Sequence, residues 1–442
     1  MSTNKENTGI NISVKSFITA ILVIFVLMTL TYGLTFVIPG GGIPFWKWAL
    51  SPFLVLGAEG NVSLIAVIIF LLVIGGIFNC LDKCGLMQYM LDTITDKFGK
   101  ERYKLLAFVS LFFMAMGSFI GSFEEAVPLV PIVVALAIRL GWDALTGLGM
   151  SLLAIGCGFS AGVCNPFTVG VAQELAGLPM FSGIWFRLIG FALVYGLLIG
   201  FLYFYAKKIE KPIDIAVLNQ NFRKDEKMDK GLKCFAGIML GGIVLVLSSV
   251  VLTFLQDVTM IIVAITFFVA GLVAVTTTGR GGNILKTFLN GVSNVFPAVF
   301  MILMANSIKY TMVEGNILDP ILQAMVTTAK TLPGWTVILF IYLIVLVMNF
   351  FISSGSAKAF LLMPLIVPIA ETFGISAQLC IVAFAFGDGF SNVLYPTNPV
   401  LLISLGLVDV DYSKWFKWSF KFQFLNLVVT SVLLLLGLAI GY

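Results

Sequence analysis

Two stretches of this chain align without gaps at an offset of 233 residues. Pro131, Gly141, Gly156, Asn165-Pro166 and Trp185 recur as Pro364, Gly374, Gly389, Asn398-Pro399 and Trp418. Both copies lie in strongly apolar surroundings. Proline removes a backbone donor and drives the preceding residue out of helical geometry, so each Asn-Pro pair interrupts a long hydrophobic helix. Interrupted apolar helices at corresponding positions of two halves point to a binding site near the middle of a bilayer, of the kind that transporters build.

Composition supports a membrane setting. Of 442 residues, 60% are hydrophobic and only 11% are charged, more apolar surface than a soluble domain can bury. Uncharged runs reach the ~20 residues that cross a bilayer core as a helix. The expected fold is therefore an all-α polytopic membrane protein. Full spans are expected over 17–38, 60–80, 144–177, 183–206, 234–255, 259–276, 287–308, 376–408 and 415–441. The first is too long for a usual signal peptide and lacks a small-residue cleavage site, so it reads as a retained span.

Two apolar regions do not fit as ordinary spans. Between Lys104 and Arg139 lie too few residues for two crossings, and their middle carries Glu124, Glu125 and Pro128. A hairpin that enters and leaves on one side satisfies both facts, over about 104–139. The second such hairpin, about 335–372, bends at Ser353-Ser354-Gly355-Ser356-Ala357-Lys358 and aligns with the first under the offset. The chain thus divides into a first repeat, 1–206, a polar linker, 207–233, and a second repeat, 234–442. The broken helices are 144–177 and 376–408.

Orientation follows from basic residues, which concentrate on the cytoplasmic side. Placing the N-terminus inside puts 21 of the 26 Lys and Arg there. Nine spans then leave the C-terminus outside, and the two hairpins open to opposite sides, as inverted repeats require. Trp46-Lys47-Trp48 and Trp415-Phe416-Lys417-Trp418 read as interfacial anchors. The expected location is a prokaryotic cytoplasmic (inner) membrane.

The chemistry concentrates at the bends and breaks. Carbonyls freed there can hold a cation, and half-helix N-termini favour an anionic group. Asn165, Thr168, Ser391, Asn392, Thr397 and Asn398 supply hydrogen bonds at the breaks, and Ser122, Ser354 and Ser356 supply them at the bends. Four ionisable residues fall deep: Glu124, Glu125, Lys358 and Asp388. A charge at the bilayer centre costs roughly 2.5–3.5 kcal/mol on insertion scales, so such residues are paired or functional. Two readings stay open for Lys358 and Asp388: contact with substrate, or a mutual salt bridge that locks the hairpin to its neighbour. The adjacent glutamates repel unless one is protonated or a cation neutralises them, which makes them candidates for a cationic group or a coupling ion.

Several classes are disfavoured. The chain has no histidine, and Cys80 and Cys84 alone do not make a metal site. No phosphate-binding loop of an ATP-driven pump occurs. An intramembrane enzyme would need a nucleophile–base arrangement that the carboxylates lack. No cofactor and no nucleic-acid partner are expected, with Na+ or H+ as the coupling ion.

Three motifs carry a resemblance: Gly121-Ser-Phe-Glu-Glu-Ala-Val-Pro128, Asn165-Pro-Phe-Thr-Val-Gly-Val-Ala-Gln173 and Gly387-Asp-Gly-Phe-Ser-Asn392. Over about residues 12–440 the chain resembles the YfcC-like family. That family groups with the ArcD-type arginine/ornithine antiporters and the anaerobic C4-dicarboxylate carriers of the ion transporter superfamily. The resemblance implies inverted repeats, two re-entrant hairpins, elevator-type alternating access and a homodimer. It leaves two substrate classes. Three acidic groups against one lysine favour a basic amino acid. A dicarboxylate or other organic anion would instead use Lys358. The second break departs from the family pattern in its proline-rich Tyr395-Pro396-Thr397-Asn398-Pro399.

Overall fold

A computed structural model of the chain describes residues 14–38, 42–58, 62–121, 123–211, 224–248 and 259–442. Helices account for the regular structure, and no strand occurs among the described residues. Nine helices among them are long and apolar enough to cross a membrane: Leu64–Lys83, Arg102–Ile120, Ala144–Leu175, Ile184–Ile209, Ile261–Thr278, Ile284–Glu314, Gly334–Phe351, Gly355–Thr372 and Tyr412–Ala439. The protein is an all-α polytopic membrane protein.

The number agrees with expectation, but the membership differs. Arg102–Ile120, Gly334–Phe351 and Gly355–Thr372 are hairpin arms, each of 18 or 19 residues. Three expected spans fall short for separate reasons. The apolar part of the first helix is Ile21–Val37. The helix Glu226–Ser248 has charged residues in its first turns, and 249–255 of the span expected there lie outside the described residues. The second broken helix is cut into Ala377–Gly389 and Pro399–Leu407. Helix also extends into both ends of the expected linker, to Ile209 and from Glu226, while 212–223 lie outside the described residues.

The repeat offset carries into the helix boundaries. The returning arms end at Arg139 and Thr372, Gly141 and Gly374 both take left-handed backbone, and the next helices start at Ala144 and Ala377. Asp143 and Ser376 cap them, accepting from the amides of Thr146 and Leu379. Asp143 and Ser376 are chemically different, yet each supplies the side-chain oxygen that a helix N-terminus needs. The second returning arm is longer than the dozen apolar residues of its sequence suggest, because Pro364 and Pro368 are accommodated within one helix.

The two copies meet through a reciprocal contact. A side-chain carbon on Gly156 would lie 2.5 Å from Val393, and one on Gly389 would lie 2.2 Å from Ser160 Oγ. Residues 160 and 393 are themselves related by the offset, so the same contact occurs twice about a pseudo-two-fold axis. Small residues at such crossings let helix backbones approach where lipid supplies no hydrophobic drive between helices.

Contacts at the ends give the relative direction of the broken helices. Gln173, near the end of the first, donates to Gln378 at the start of the second (3.3 Å). Between the ends, Gly156 meets Val393 and the later Ser160 meets the earlier Gly389, so position advances along one as it retreats along the other. The two broken helices therefore run antiparallel. The open end of the first hairpin is tied by Arg102 to Glu210 (2.5 Å). That of the second leads into Ser376, which donates to the Tyr442 carbonyl. The hairpins thus enter from opposite ends of the bundle. Around this core, Val14–Val37, Ile284–Glu314, Val62–Lys83, Thr259–Thr278 and Glu226–Ser248 pack in succession.

The closest approach joins the first hairpin to the first broken helix. A Cβ on Gly158 would fall 1.8 Å from the Met114 carbonyl oxygen. Overpacking against backbone costs about 1–3 kcal/mol or more, so Gly158→Ala is expected to lower the thermal unfolding temperature in detergent. Gly196→Ala, where nothing lies within 4 Å, is expected to leave that temperature unaltered or raise it slightly, for a gain in stability of at most about 1 kcal/mol. Equal melting of the two variants would contradict the close crossing.

Candidate substrate site

The first broken helix stops at Ala161, and Gly162 turns the chain out of helix with a φ of +49°. Inside a bilayer, each backbone group freed by such a break needs a partner from the protein, water or ligand. Ser118 of the first hairpin supplies two. Its hydroxyl accepts from the Val163 amide and its carbonyl from the Cys164 amide, both at 3.0 Å. Arg187, on the following span, donates to the Val163 carbonyl at 3.2 Å and to the carbonyls of Ser182 and Phe181 at 2.9 and 3.2 Å. Asn165 restarts the helix, its side-chain oxygen accepting from the amides of Phe167 (3.0 Å) and Thr168 (3.3 Å). Gly121, at the hairpin reversal, has left-handed backbone (φ +74°), and a side chain there would meet Asn165 Oδ1 at 2.3 Å. Only glycine meets both demands. The hairpin tip thus stops at the depth of the break.

At the second break the carbonyls take side-chain donors from Tyr412–Ala439. Gln423 donates to Phe390 (3.0 Å), Trp415 to Val393 (2.7 Å) and Tyr412 to Leu394 (2.9 Å). Two expectations are corrected here. The Val163, Phe390, Val393 and Leu394 carbonyls each already accept a hydrogen bond from a protein side chain rather than standing unpartnered. Trp415 and Trp418 are buried within the protein rather than anchored at the lipid interface, because the broken helix beside them requires an indole donor and a flat packing partner. Asn398 restarts this helix by accepting from the Val400 amide (2.9 Å).

The expected polar residues of the second copy form one network. Lys358 and Asp388 pair at 2.5 Å with neither side chain exposed. The ammonium also donates to Asn349 Oδ1. Asn349 in turn donates to Ser391 Oγ (2.7 Å) and Asn392 Oδ1 (2.9 Å), and Asn392 Oδ1 accepts from Asn398 as well (3.0 Å). The mutual salt bridge, one of the two readings for Lys358 and Asp388, is thus formed in the protein without a ligand. Removing one partner of a buried pair costs about 3–5 kcal/mol, whereas replacing both is far cheaper.

Four buried polar atoms at expected site residues have no hydrogen-bond partner: Asn165 Nδ2, Thr168 Oγ1, Asp388 Oδ2 and Thr397 Oγ1. They belong to both repeats. Gly355, at the second hairpin tip, brings two of these residues together. A Cβ there would lie 2.5 Å from the Thr168 methyl and 2.7 Å from Asp388 Oδ2. Ser354 caps the hairpin's returning arm and its hydroxyl lies 3.5 Å from that of Ser356. Ser122 and the side chains of Glu124 and Glu125 lie outside the described residues. The backbone of the two glutamates opens a 3-10 turn, Glu124–Leu129, which packs on Pro399–Leu407. Each hairpin therefore touches the far half of the other copy's broken helix, since Gly355–Thr372 packs in the same way on Val171–Leu175.

Sequence reasoning missed Asn349, Arg187 and Ser118. Asn349 and Arg187 carry a signal in hindsight, as a strong donor inside an apolar run. Ser118 carries none, because lone serines are common in membrane helices.

A family model described as the C4-dicarboxylate anaerobic carrier, DcuC, matches residues 51–439. The chain belongs to that family. It is 29% identical over 401 residues to the "Putative basic amino acid antiporter YfcC" of Escherichia coli (strain K12), covering 86% of this chain and 78% of the relative. It is 26% identical over 407 residues to an uncharacterized protein of Haemophilus influenzae (strain ATCC 51907 / DSM 11121 / KW20 / Rd), covering 86% and 77%. The crystal structure of the Alcanivorax borkumensis YdaH transporter aligns with 96% of this chain and 99% of that chain, at 16% identity and a TM-score of 0.49. The protein is a multi-pass membrane transporter.

Arg187 holds three carbonyls from a fully buried position, and hydrogen bonds from a charged donor contribute about 1.5–3 kcal/mol. Arg187→Gln is expected to cost at least ~2 kcal/mol on that basis, read as a lowered unfolding temperature. Arg187→Lys is expected to recover only part of it, since an ammonium cannot reproduce the guanidinium fork.

Proposed function

We propose that this chain is a secondary active transporter that exchanges or imports basic amino acids of the arginine/ornithine class. It works by alternating access of elevator type, from a site between the two hairpin tips and the two Asn-Pro breaks. One observation carries the substrate assignment. Lys358 is already paired with Asp388 and Asn349, while Asp388 Oδ2 faces the hairpin tip without a partner and the nearby Thr168, whose methyl meets the same glycine, keeps a buried hydroxyl without one. Around Gly355 such a site offers an acceptor to a cationic group, and the lysine beside it is already paired.

The half-helix N-termini favour the same reading. Asn165, Asn398 and Ser354 occupy them with their own side chains, which reduces what they can offer an anion. A substrate ammonium or guanidinium would meet Asp388 and Thr168, and Glu124 or Glu125 would supply further negative charge. The substrate carboxylate would use Asn165 Nδ2 and Thr397. The orientation proposed with this mechanism has the N-terminus in the cytoplasm of a prokaryotic cell and the C-terminus outside. Na+ or H+ is the proposed coupling ion, and a homodimer the proposed assembly.

The family description favours a second reading, a Na+- or H+-coupled carrier of C4-dicarboxylates. Such a substrate would have to draw Lys358 away from Asp388. Radiolabelled arginine uptake into proteoliposomes separates the two readings. Acceleration by internal ornithine or arginine, without competition from succinate, is expected. Absence of arginine transport together with Na+-dependent succinate uptake would replace the proposal.

Thr168→Val gives a sharper test, because the hydroxyl is buried without a partner and its loss costs the fold little. A hydrogen bond to a charged group contributes about 1.5–3 kcal/mol, so the variant is expected to raise the transport KM roughly tenfold at unaltered thermal stability. An unaltered KM would remove Thr168 from the site.

A further inference from the structure

Lys358 occupies an unusual position for a residue so close to a transport site. It lies on the returning arm of the second hairpin, Asn349 lies on the entering arm, and Asp388 lies on the broken helix. One ammonium therefore ties three separate elements together, and all three residues are buried. Asn349 cannot turn its amide around without loss, because both of its amide hydrogens are engaged, by Ser391 Oγ and Asn392 Oδ1. That leaves its oxygen aimed at Lys358. The lysine is thus held from two sides in a fixed place beside Asp388.

A carrier that alternates between two faces must also return without cargo unless it exchanges. Moving an unpaired carboxylate through hydrocarbon is costly, whereas a tight ion pair is neutral overall. We propose that Lys358 is the tethered counter-ion of the empty site, positioned by Asn349, and that it allows the carrier to reorient without substrate. Lys358 then balances the charge of Asp388 during the return step, and net uptake occurs as well as exchange. The inference rests on the alternating-access reading but not on which substrate is carried.

The test compares two fluxes in proteoliposomes, with the membrane potential clamped by potassium and its ionophore. Exchange is measured with substrate inside, and net uptake with none inside. Both are run with arginine and with succinate. The choice of substrate tests the functional reading, while the ratio of net uptake to exchange tests the role of Lys358, so the two can fail separately.

The unaltered protein is expected to show net uptake within about tenfold of exchange, and obligate exchange would overturn the proposal. In Lys358→Gln, Asp388 is left uncompensated when empty, and the ratio is expected to fall at least ~tenfold, a modest reading of the cost of an unpaired buried charge. An unaltered ratio, or loss of both fluxes in a protein that still folds, would overturn it. The double variant Lys358→Gln/Asp388→Asn removes both charges and guards against misfolding of the single one. Its ratio is expected to recover toward that of the unaltered protein. A ratio as low as that of the single variant would argue that the lysine acts through something other than charge balance.

Discussion

Everything in this molecule depends on satisfying backbone groups that two Asn-Pro breaks release inside the membrane. Water cannot do it in hydrocarbon, so protein must. At the first break the partners are Ser118 and Arg187, drawn from the hairpin before and the span after. At the second they are Tyr412, Trp415 and Gln423, all from the final helix. These bonds fix where the hairpin and the neighbouring span sit relative to each break. Once they are in place, the side chains around the breaks are held together without a ligand.

The two halves solve one problem with different chemistry. Their shared backbone plan appears in the reciprocal contacts of Gly156 with Val393 and of Gly389 with Ser160. The charges do not follow that symmetry. Lys358 and Asp388 occur only in the second copy, and Arg187 only beside the first. A pseudo-two-fold scaffold therefore carries an asymmetric set of buried charges. The buried pair is better understood as a constraint on that site than as a source of stability, because desolvation offsets most of its attraction.

The same geometry links packing to movement. The second hairpin and second broken helix are joined through Lys358, Asn349 and Asp388, so that region has reason to move as a unit. The hairpin tips meet the breaks at glycines, where backbone and ligand-facing side chains approach closely. A static arrangement of satisfied breaks and unsatisfied side chains is what a binding site needs, rigid in its frame and incomplete at its centre.

Much of this was legible in the chain itself. Apolar run length and the scarcity of charge determine a helical membrane protein. The 233-residue offset anticipates paired hairpins, paired breaks and the glycines at their crossing. Those features are local or periodic, and bilayer thickness and proline chemistry act on them directly. Tertiary structure decided the rest. It determined that Lys358 is spent on Asp388, that Asn349 and Arg187 belong beside the breaks, and that Trp415 faces inward. Each of these depends on which partner lies across a helix interface, and residues far apart in sequence meet there only after the two halves have packed.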